Sequence, residues 1–330
     1  MYQSVVSMAK PSQFGSAITR GLALIVIPAL TMALQSSGIQ AQEPQPPVAA
    51  FRSSVDLVRV AAVVRDHKGH FVQDLKARDF EIVDDGRTRA IADLQNDVAG
   101  VSVAFLFDVS GSMEGRMPDA REAATHVLNW LDAERDEAAV FTFDTQLDER
   151  APFTVGLKAL PRSIERLIPF GATSLHDAIA QTASRLGTRE GRRRAVVVFT
   201  DGVDNASHMK PEAVSAMASA IDVPVYLFGI VPSIDNPSEA NSTVERSALT
   251  GTLANLATWT GGHVFMASTP GQRSVAARQI VDELRHQYVI AFEASGRPGW
   301  HPLVVRARNK DLTVRARSGY IAGQSSPTAF

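Results

Sequence analysis

Short apolar runs alternate with amphipathic segments through the middle of the chain, and this alternation constrains the fold more than any other feature. The runs cover residues 101–107, 138–143, 195–200, 223–229 and 263–266. Each is apolar on both faces, as expected of strands buried within a parallel sheet. Apolar residues recur near a 3.6-residue period in 118–133, 157–167, 173–186, 211–220, 249–259 and 271–285. Strands and helices in this alternation predict an α/β fold with a doubly wound, mostly parallel, Rossmann-like sheet.

Both flanks of this region show the period-two alternation of β-strands. Residues 58–64 alternate on the N-terminal side, and Asp85-Gly86 predicts a hairpin turn. On the C-terminal side the alternating runs are 288–292, 303–307 and 312–316, which predict a three-stranded meander. Each flank alone is too small to bury a good core. We therefore expect the two flanks to pair into a β-sandwich-like frame with the α/β domain inserted between them.

The N-terminus has the features of an export signal. Lys10 and Arg20 precede an apolar run over 21–34, which is followed by small residues. This run is 14 residues long, whereas about 20 are needed to span a bilayer. We therefore expect cleavage and export to the periplasm or the medium, in preference to a retained transmembrane helix or another stable membrane anchor. Met8 is an alternative start.

These patterns divide the chain into six predicted segments. They are a signal peptide (1–41), a Pro-rich linker (42–53), the N-terminal part of the β-frame (54–97), the α/β domain (98–285), the C-terminal part of the β-frame (286–322) and a tail (323–330).

Composition excludes several functions. The chain has 33 basic and 35 acidic residues and a formal net charge of -2, so no excess of positive charge supports nucleic-acid binding. It has no Cys, which excludes disulfides, thiolate zinc sites, iron–sulfur clusters and a catalytic thiol. Oxygen ligands and His are left for binding a metal.

Polar residues follow the predicted strands at three places. Asp108, Ser110 and Ser112 follow the first run, Thr173 opens a helix, and Asp201 follows the run 195–200. Ligands of open α/β sheets bind beyond the carboxyl ends of the strands, so we expect these residues to converge there. Carboxylate and hydroxyl oxygens suit a hard divalent cation.

Several neighbouring residues have two interpretations. Ser174 could replace Thr173 as a ligand or cap the following helix. The adjacent loops carry Asp144, Asp204 and Asn205, which either adjust the site or are solvated loop residues. His176 is interpreted as a helix-face residue rather than as a ligand. Glu114 and Arg116 either meet a partner at the rim or are solvated charges.

The three segments, in this order, resemble the von Willebrand factor A (VWFA) domain. That domain carries a metal-ion-dependent adhesion site (MIDAS) made of Asp-x-Ser-x-Ser, a distant Thr and a distant Asp. The resemblance covers about residues 100–285, and the flanks look like those of exported bacterial VWFA-related proteins. The metal ligands that it implies are Asp108, Ser110, Ser112, Thr173 and Asp201. It also implies that an Asp or Glu of a protein partner completes the metal shell.

Few carboxylate ligands favour Mg²⁺, with Mn²⁺ and Ca²⁺ as alternatives. The sequence therefore predicts an exported, non-enzymatic protein that binds a protein partner through a divalent cation, as in cell adhesion or a scaffold. One alternative is a structural envelope or matrix component stabilised by the metal. The other is a metal-dependent hydrolase, but no nucleophile elbow or phosphate-binding loop is present and Ser110 has no assigned base.

Overall fold

A computed structural model describes residues 57–96, 100–189, 191–220, 222–230, 249 and 251–322. The predicted signal peptide, linker and tail lie outside these described residues. Within them, no helix has both the length and the apolar character needed to cross a membrane.

The described strands and helices follow the alternation of the sequence. The strands are β1 (Leu57–Arg65), β2 (Phe80–Asp84), β3 (Arg87–Arg89), β4 (Ile91–Gln95), β5 (Val101–Asp108), β6 (Glu137–Phe143), β7 (Leu147–Val155), β8 (Arg193–Thr200), β9 (Val225–Gly229), β10 (Val264–Met266), β11 (Gln287–Glu293), β12 (Gly299–Ala307), β13 (Thr313–Ala316) and β14 (Gly319–Ala322). The helices are α1 (Met117–Trp130), α2 (Arg162–Glu165), α3 (Leu175–Gly187), α4 (Pro211–Ala220), α5 (Thr252–Trp259) and α6 (Pro270–Arg285).

The central sheet has the order β10-β9-β8-β5-β6-β7 among the described strands. All neighbouring strands are parallel except β7, which runs antiparallel to β6 at the edge. Side chains of β5 alternate between two cores: Val103 and Phe105 pack with α1 and α6, whereas Ala104 and Leu106 pack with α3, α4 and α5. Helices on both faces of a mostly parallel sheet confirm the predicted fold class.

The structure differs from the prediction at the β6 edge. Strand β7 was not predicted, because the charged run Asp148-Glu149-Arg150 hides the alternation of an edge strand whose outer face is in water. A helix predicted over 157–167 is wrong, since only α2 is helical there. Pro161 lacks an amide hydrogen and cannot continue a helix from residue 157, so helical structure begins after it.

The flanking strands form two further four-stranded sheets in the described part of the chain. Their orders are β13-β1-β11-β4 and β14-β12-β2-β3. Each contains strands from both ends of the chain. The two sheets enclose a core that includes Val60, Ile82, Tyr288, Phe292 and Val305. This confirms the β-sandwich-like frame.

The pairing within the frame is partly as predicted. Asp85 and Gly86, with φ of 50° and 76°, form the turn between β2 and β3, which confirms the hairpin. The C-terminal meander is wrong: β11 pairs with β1 and β4, β12 with β2 and β14, and β13 with β1. Period-two alternation identifies a strand and its buried face, but it does not identify the neighbouring strand.

Candidate metal centre

Asp108 is the innermost residue of the candidate site. It ends β5 and is fully buried. Its Oδ1 accepts hydrogen bonds from the Ser110 backbone N–H (3.0 Å) and the Ser110 hydroxyl (2.6 Å), and its Oδ2 accepts one from the Thr200 hydroxyl (2.7 Å). Burial raises the pKa of Asp108 to about 7, against the opposing effect of these hydrogen bonds, and the charge of Asp201 adds to the rise.

The loop after β5 presents the two serine hydroxyls. Ser110 is buried and Ser112 is exposed, and their Oγ atoms are 3.2 Å apart. The turn Gly111–Met113 is held by the fully buried side chain of Met113. A carboxylate, a buried hydroxyl and an exposed hydroxyl therefore lie in one connected chain that leads from the sheet towards solvent.

Asp201 brings a second carboxylate to the same edge. It directly follows β8, the parallel neighbour of β5, and is fully buried. The guanidinium of Arg116 donates to its Oδ2 (Nη1 to Oδ2, 2.9 Å), and the Val203 N–H donates to its Oδ1 at 3.3 Å. The Arg116 side chain is only 13% exposed, so this ion pair lies largely out of water.

Thr173 is buried and lies in a loop that hydrogen bonds connect to both other segments. Its N–H donates to Asn205 Oδ1 at 2.8 Å, and its carbonyl accepts from the Asn205 N–H at 3.1 Å. On the other side, the Gly111 N–H donates to the Gly171 carbonyl at 3.1 Å. The five predicted ligands are thus brought to one edge of the sheet by three mutually bonded loops.

The start of α3 is capped by residues of another loop. Ser174 occupies the N-cap position, but its side chain makes no capping hydrogen bond, so the predicted capping role is wrong. The His176 N–H instead donates to Asp204 Oδ2 (2.9 Å) and Ser207 Oγ (3.0 Å). His176 Nδ1 also lies 2.7 Å from Asp204 Oδ2, so this imidazole pairs with a carboxylate outside the predicted ligand set.

Two contacts at the site were not predicted from the sequence. Thr200 is hydrogen-bonded to Asp108, and the sequence carried a signal for it, since Thr200 ends the run 195–200 and Asp108 follows the run 101–107. In the structure Phe199 pairs with Phe107, so the next residue along each strand lies at the same edge. The Arg116–Asp201 ion pair carried no such signal, because the two residues are 85 positions apart. Asp144 was predicted to lie on a loop next to the site. Its side chain accepts a hydrogen bond from the Gln146 N–H within the same turn, and its backbone carbonyl accepts one from the Ser174 N–H.

The donor set fits a hard divalent cation. Arg116 supplies one positive charge against two buried carboxylates at this edge, so a bound cation would further lower the cost of burying them. Hydroxyl and carboxylate oxygens are the ligands that Mg²⁺ takes. Across the described residues, no group of three or more His, Cys, Asp or Glu side chains could hold a metal ion. A cation here would therefore depend on the hydroxyls of Ser110, Ser112 and Thr173 as well as on Asp108 and Asp201.

Two large apolar side chains are exposed beside this edge. Ile168 and Phe170 are each 82% exposed, and they lie in the loop that leads to Thr173. The Phe170 N–H donates to the carbonyl of Val109 at 2.8 Å, which fixes this loop against the loop that carries Ser110.

Comparison with known families identifies the central part of the chain. A family model described as the von Willebrand factor type A domain matches residues 103–203. This stretch contains the Asp-x-Ser-x-Ser loop, Thr173 and Asp201. Residues 103–203 therefore match a von Willebrand factor type A domain, which confirms the resemblance for this part of the chain. A search of the curated proteins gave no match.

Several solved structures are similar to the chain at low sequence identity. A von Willebrand factor type A protein from Catenulispora acidiphila is 14% identical, with 82% of this chain and 76% of that chain covered and a TM-score of 0.45. An aerotolerance-related membrane protein from Bacteroides fragilis is 19% identical, with coverages of 56% and 98% and a TM-score of 0.44. Proximal thread matrix protein 1 from the mussel byssus, with a zinc-occupied MIDAS motif, is 20% identical, with coverages of 60% and 48% and a TM-score of 0.43.

Proposed function

We propose that this protein binds a carboxylate of a protein partner through a divalent cation, most suitably Mg²⁺. The proposed ligands are Asp108, Ser110, Ser112, Thr173 and Asp201. The observation that carries the proposal is the burial of two carboxylates, Asp108 and Asp201, at one sheet edge together with hydroxyls that lead to the surface.

The ligand types explain why such a site would bind a partner. When bound, a cation held by two carboxylates and several hydroxyls supplies a position where an incoming carboxylate can replace a water molecule. Asp108 is fixed by Ser110 and Thr200, so its oxygens are oriented before any ligand arrives. The exposed hydroxyl of Ser112 lies where a partner can approach.

The surface around the site supports a protein as the partner. One metal–carboxylate bond gives little affinity or specificity by itself, so further contact area is needed. Ile168 and Phe170 offer exposed apolar area beside the site, exposed apolar patches mark protein interaction sites, and Phe is enriched in interfaces. We therefore propose a partner whose Asp or Glu is flanked by apolar side chains.

A binding role is favoured over a catalytic one. Ser110 Oγ donates to Asp108, while His176 is paired with Asp204, so the serine and the histidine are each bonded to a different carboxylate. Nothing in these contacts makes His176 a base for Ser110. We further propose that the protein is exported, because the N-terminal residues 1–41 have the composition of a signal peptide.

The first experiment measures metal binding directly. Free Mn²⁺ is titrated with the purified protein and followed by its electron paramagnetic resonance signal. The unmodified protein and the Asp148→Asn control, which changes an exposed carboxylate of β7, are expected to bind one Mn²⁺. Asp108→Asn, shown to be folded by circular dichroism, is expected to bind at least about tenfold more weakly, since a charged ligand is lost. Equal binding by all three proteins, or none at millimolar Mn²⁺, overturns the proposal.

The second experiment separates a binding site from a metal that only stabilises the fold. The relaxation of water protons reports the water molecules on protein-bound Mn²⁺. Glutarate, a small dicarboxylate, is expected to lower this relaxation by displacing water, whereas the neutral glutaramide is expected to have no effect. A protein that binds Mn²⁺ but responds alike to both compounds would instead favour the structural role.

A further inference from the structure

Arg116 places a positive charge directly on one of the proposed metal ligands. Its Nη1 is 2.9 Å from Asp201 Oδ2, and the exposed fractions of the two side chains are 13% and 0%. Because both side chains are largely shielded from solvent, water and salt screen this charge-assisted hydrogen bond only weakly. The residue was interpreted from sequence as a rim or solvated charge, and its contact with Asp201 gives it a more specific role.

We propose that Arg116 competes with the divalent cation for Asp201 and thereby lowers the metal affinity of the site while increasing its attraction for an anionic partner. This inference rests on the function proposed above and concerns the regulation of the same site. It follows from two effects of the guanidinium: it occupies a lone pair of Asp201 Oδ2, and its charge repels a cation bound nearby.

The charges of the site explain why the two effects have opposite directions. Asp108 and Asp201 contribute two negative charges, and a divalent cation would cancel them. With Arg116 the loaded site carries a net charge of about +1, whereas without it the loaded site is about neutral. An incoming carboxylate is therefore attracted more strongly when Arg116 is present, although the cation itself is held less tightly.

The fold does not require the Arg116 guanidinium in order to start α1. Arg116 is the N-cap residue of this helix, but its side chain makes no capping hydrogen bond. The backbone contacts, Arg116 N–H to Met113 O at 2.9 Å and Ala120 N–H to Arg116 O at 3.1 Å, are independent of the side chain. A substitution can thus remove the charge while leaving the helix start in place.

The test compares Arg116→Gln with Arg116→Lys and with the control Arg185→Gln. Arg185 is ten residues beyond Leu175 on α3, about 15 Å along the helix, and pairs with the exposed Glu149. Arg116→Gln is expected to bind Mn²⁺ about tenfold more tightly, equivalent to about 1.4 kcal/mol, and glutarate on the loaded site several-fold more weakly. Arg116→Lys keeps the charge that repels the cation and is expected to stay within about threefold of the unmodified protein, as is Arg185→Gln.

The outcomes separate this inference from the function on which it rests. No Mn²⁺ binding by any of these proteins overturns the proposed function and the inference together. Binding that is equal or weaker in Arg116→Gln leaves the proposed function standing and overturns the competition. Equal tightening in Arg116→Gln and Arg116→Lys also overturns it, because the effect would then not come from the charge.

Discussion

Asp204 is the side chain that holds the loop after β8 against the start of α3. Its Oδ2 lies 2.7 Å from His176 Nδ1 and accepts the Ser207 hydroxyl at 2.7 Å. Burial acts to raise the pKa of Asp204, but the hydrogen bonds from His176 and Ser207 and the charge of His176 outweigh it and lower the pKa. Asp204 therefore positions Thr173 and Asp201 relative to each other without belonging to the proposed ligand set.

A lowered carboxyl pKa makes the Asp204 contribution to stability depend on pH. A carboxyl with a folded-state pKa below its ordinary 3.8 stabilises the fold above pH 4 and loses this effect as the pH falls. Asp204→Asn is expected to lower the free energy of unfolding by about 2 kcal/mol at pH 5. Urea denaturation at pH 5, 4 and 3 should show the difference from the unmodified protein shrinking, whereas Asp148→Asn should show little difference throughout. A difference that stays constant down to pH 3 would contradict the prediction.

The ligand positions could be predicted from sequence because each lies close to the carboxyl end of a recognisable strand. Asp108 and Asp201 follow apolar runs directly, and parallel strands bring their carboxyl ends to one edge. The partners of these residues could not be predicted in the same way. The contact of Arg116 with Asp201 depends on the path of a loop and the rotamer of a long side chain, and neither has a sequence pattern.

At the level of secondary-structure elements, Gly262 sets how closely the turn between α5 and β10 approaches β9. A Cβ at this position would lie 2.0 Å from the carbonyl oxygen of Val225, which is backbone and cannot move aside as a side chain can. Gly262→Ala is therefore expected to lower the free energy of unfolding by about 3 kcal/mol. Gly271→Ala in α6, where a Cβ meets nothing within 4 Å, is the matched control and should be neutral or slightly stabilising. Equal melting temperatures of the two variants would contradict this packing argument.

Helix α6 is joined to the β-frame through a buried carboxylate. Glu283 is fully buried, and its carboxylate pairs with Arg65 of β1 at 3.0 Å and with Arg315 of β13. Burial acts to raise the pKa of Glu283, but the two arginines outweigh this effect and lower it. The Glu283 carboxylate of α6 therefore forms ion pairs with arginines of two strands of the frame.

Removing the charge of Glu283 should destabilise the protein more than removing the charge of the adjacent Asp282. Glu283→Gln leaves two partly buried guanidinium groups without their anion and is expected to cost about 3 kcal/mol in urea denaturation. Asp282→Asn changes an adjacent carboxylate that pairs with the exposed Arg278 and should cost less than about 0.5 kcal/mol. Similar losses in the two variants would mean that the Glu283 cluster contributes no more than a surface pair.

At the scale of the whole molecule, contacts connect the frame to the central sheet at several places. The Ser318 N–H donates to the carbonyl of Trp259 at 3.0 Å, and a Cβ at Gly261 would lie 3.0 Å from the Arg317 backbone N. The described residues between Leu57 and Ala322 accordingly belong to one compact unit. The sequence predicted that the two flanks pair with each other, but it did not predict which strands are neighbours, because alternation in β11 to β13 indicates strands without indicating their partners.

These contacts predict that the frame and the central sheet unfold together. Within the described residues, all α-helices lie between Met117 and Arg285, so circular dichroism at 222 nm follows mainly the central part. Trp300 lies on β12, and in the double variant Trp130→Phe, Trp259→Phe it is the one remaining Trp of three, so its fluorescence follows the frame. The two signals are expected to give the same urea midpoint in a single transition.

The Glu283→Gln variant makes this test sharper. In the same Trp background, Glu283→Gln removes a contact between the frame and the central sheet. The contacts of Ser318 and Arg317 still couple these two parts, so both urea midpoints should fall equally. A fluorescence midpoint that falls while the dichroism midpoint stays in place would show that the frame unfolds by itself. The central sheet and its proposed metal site would then be stable without the strands that flank them in sequence.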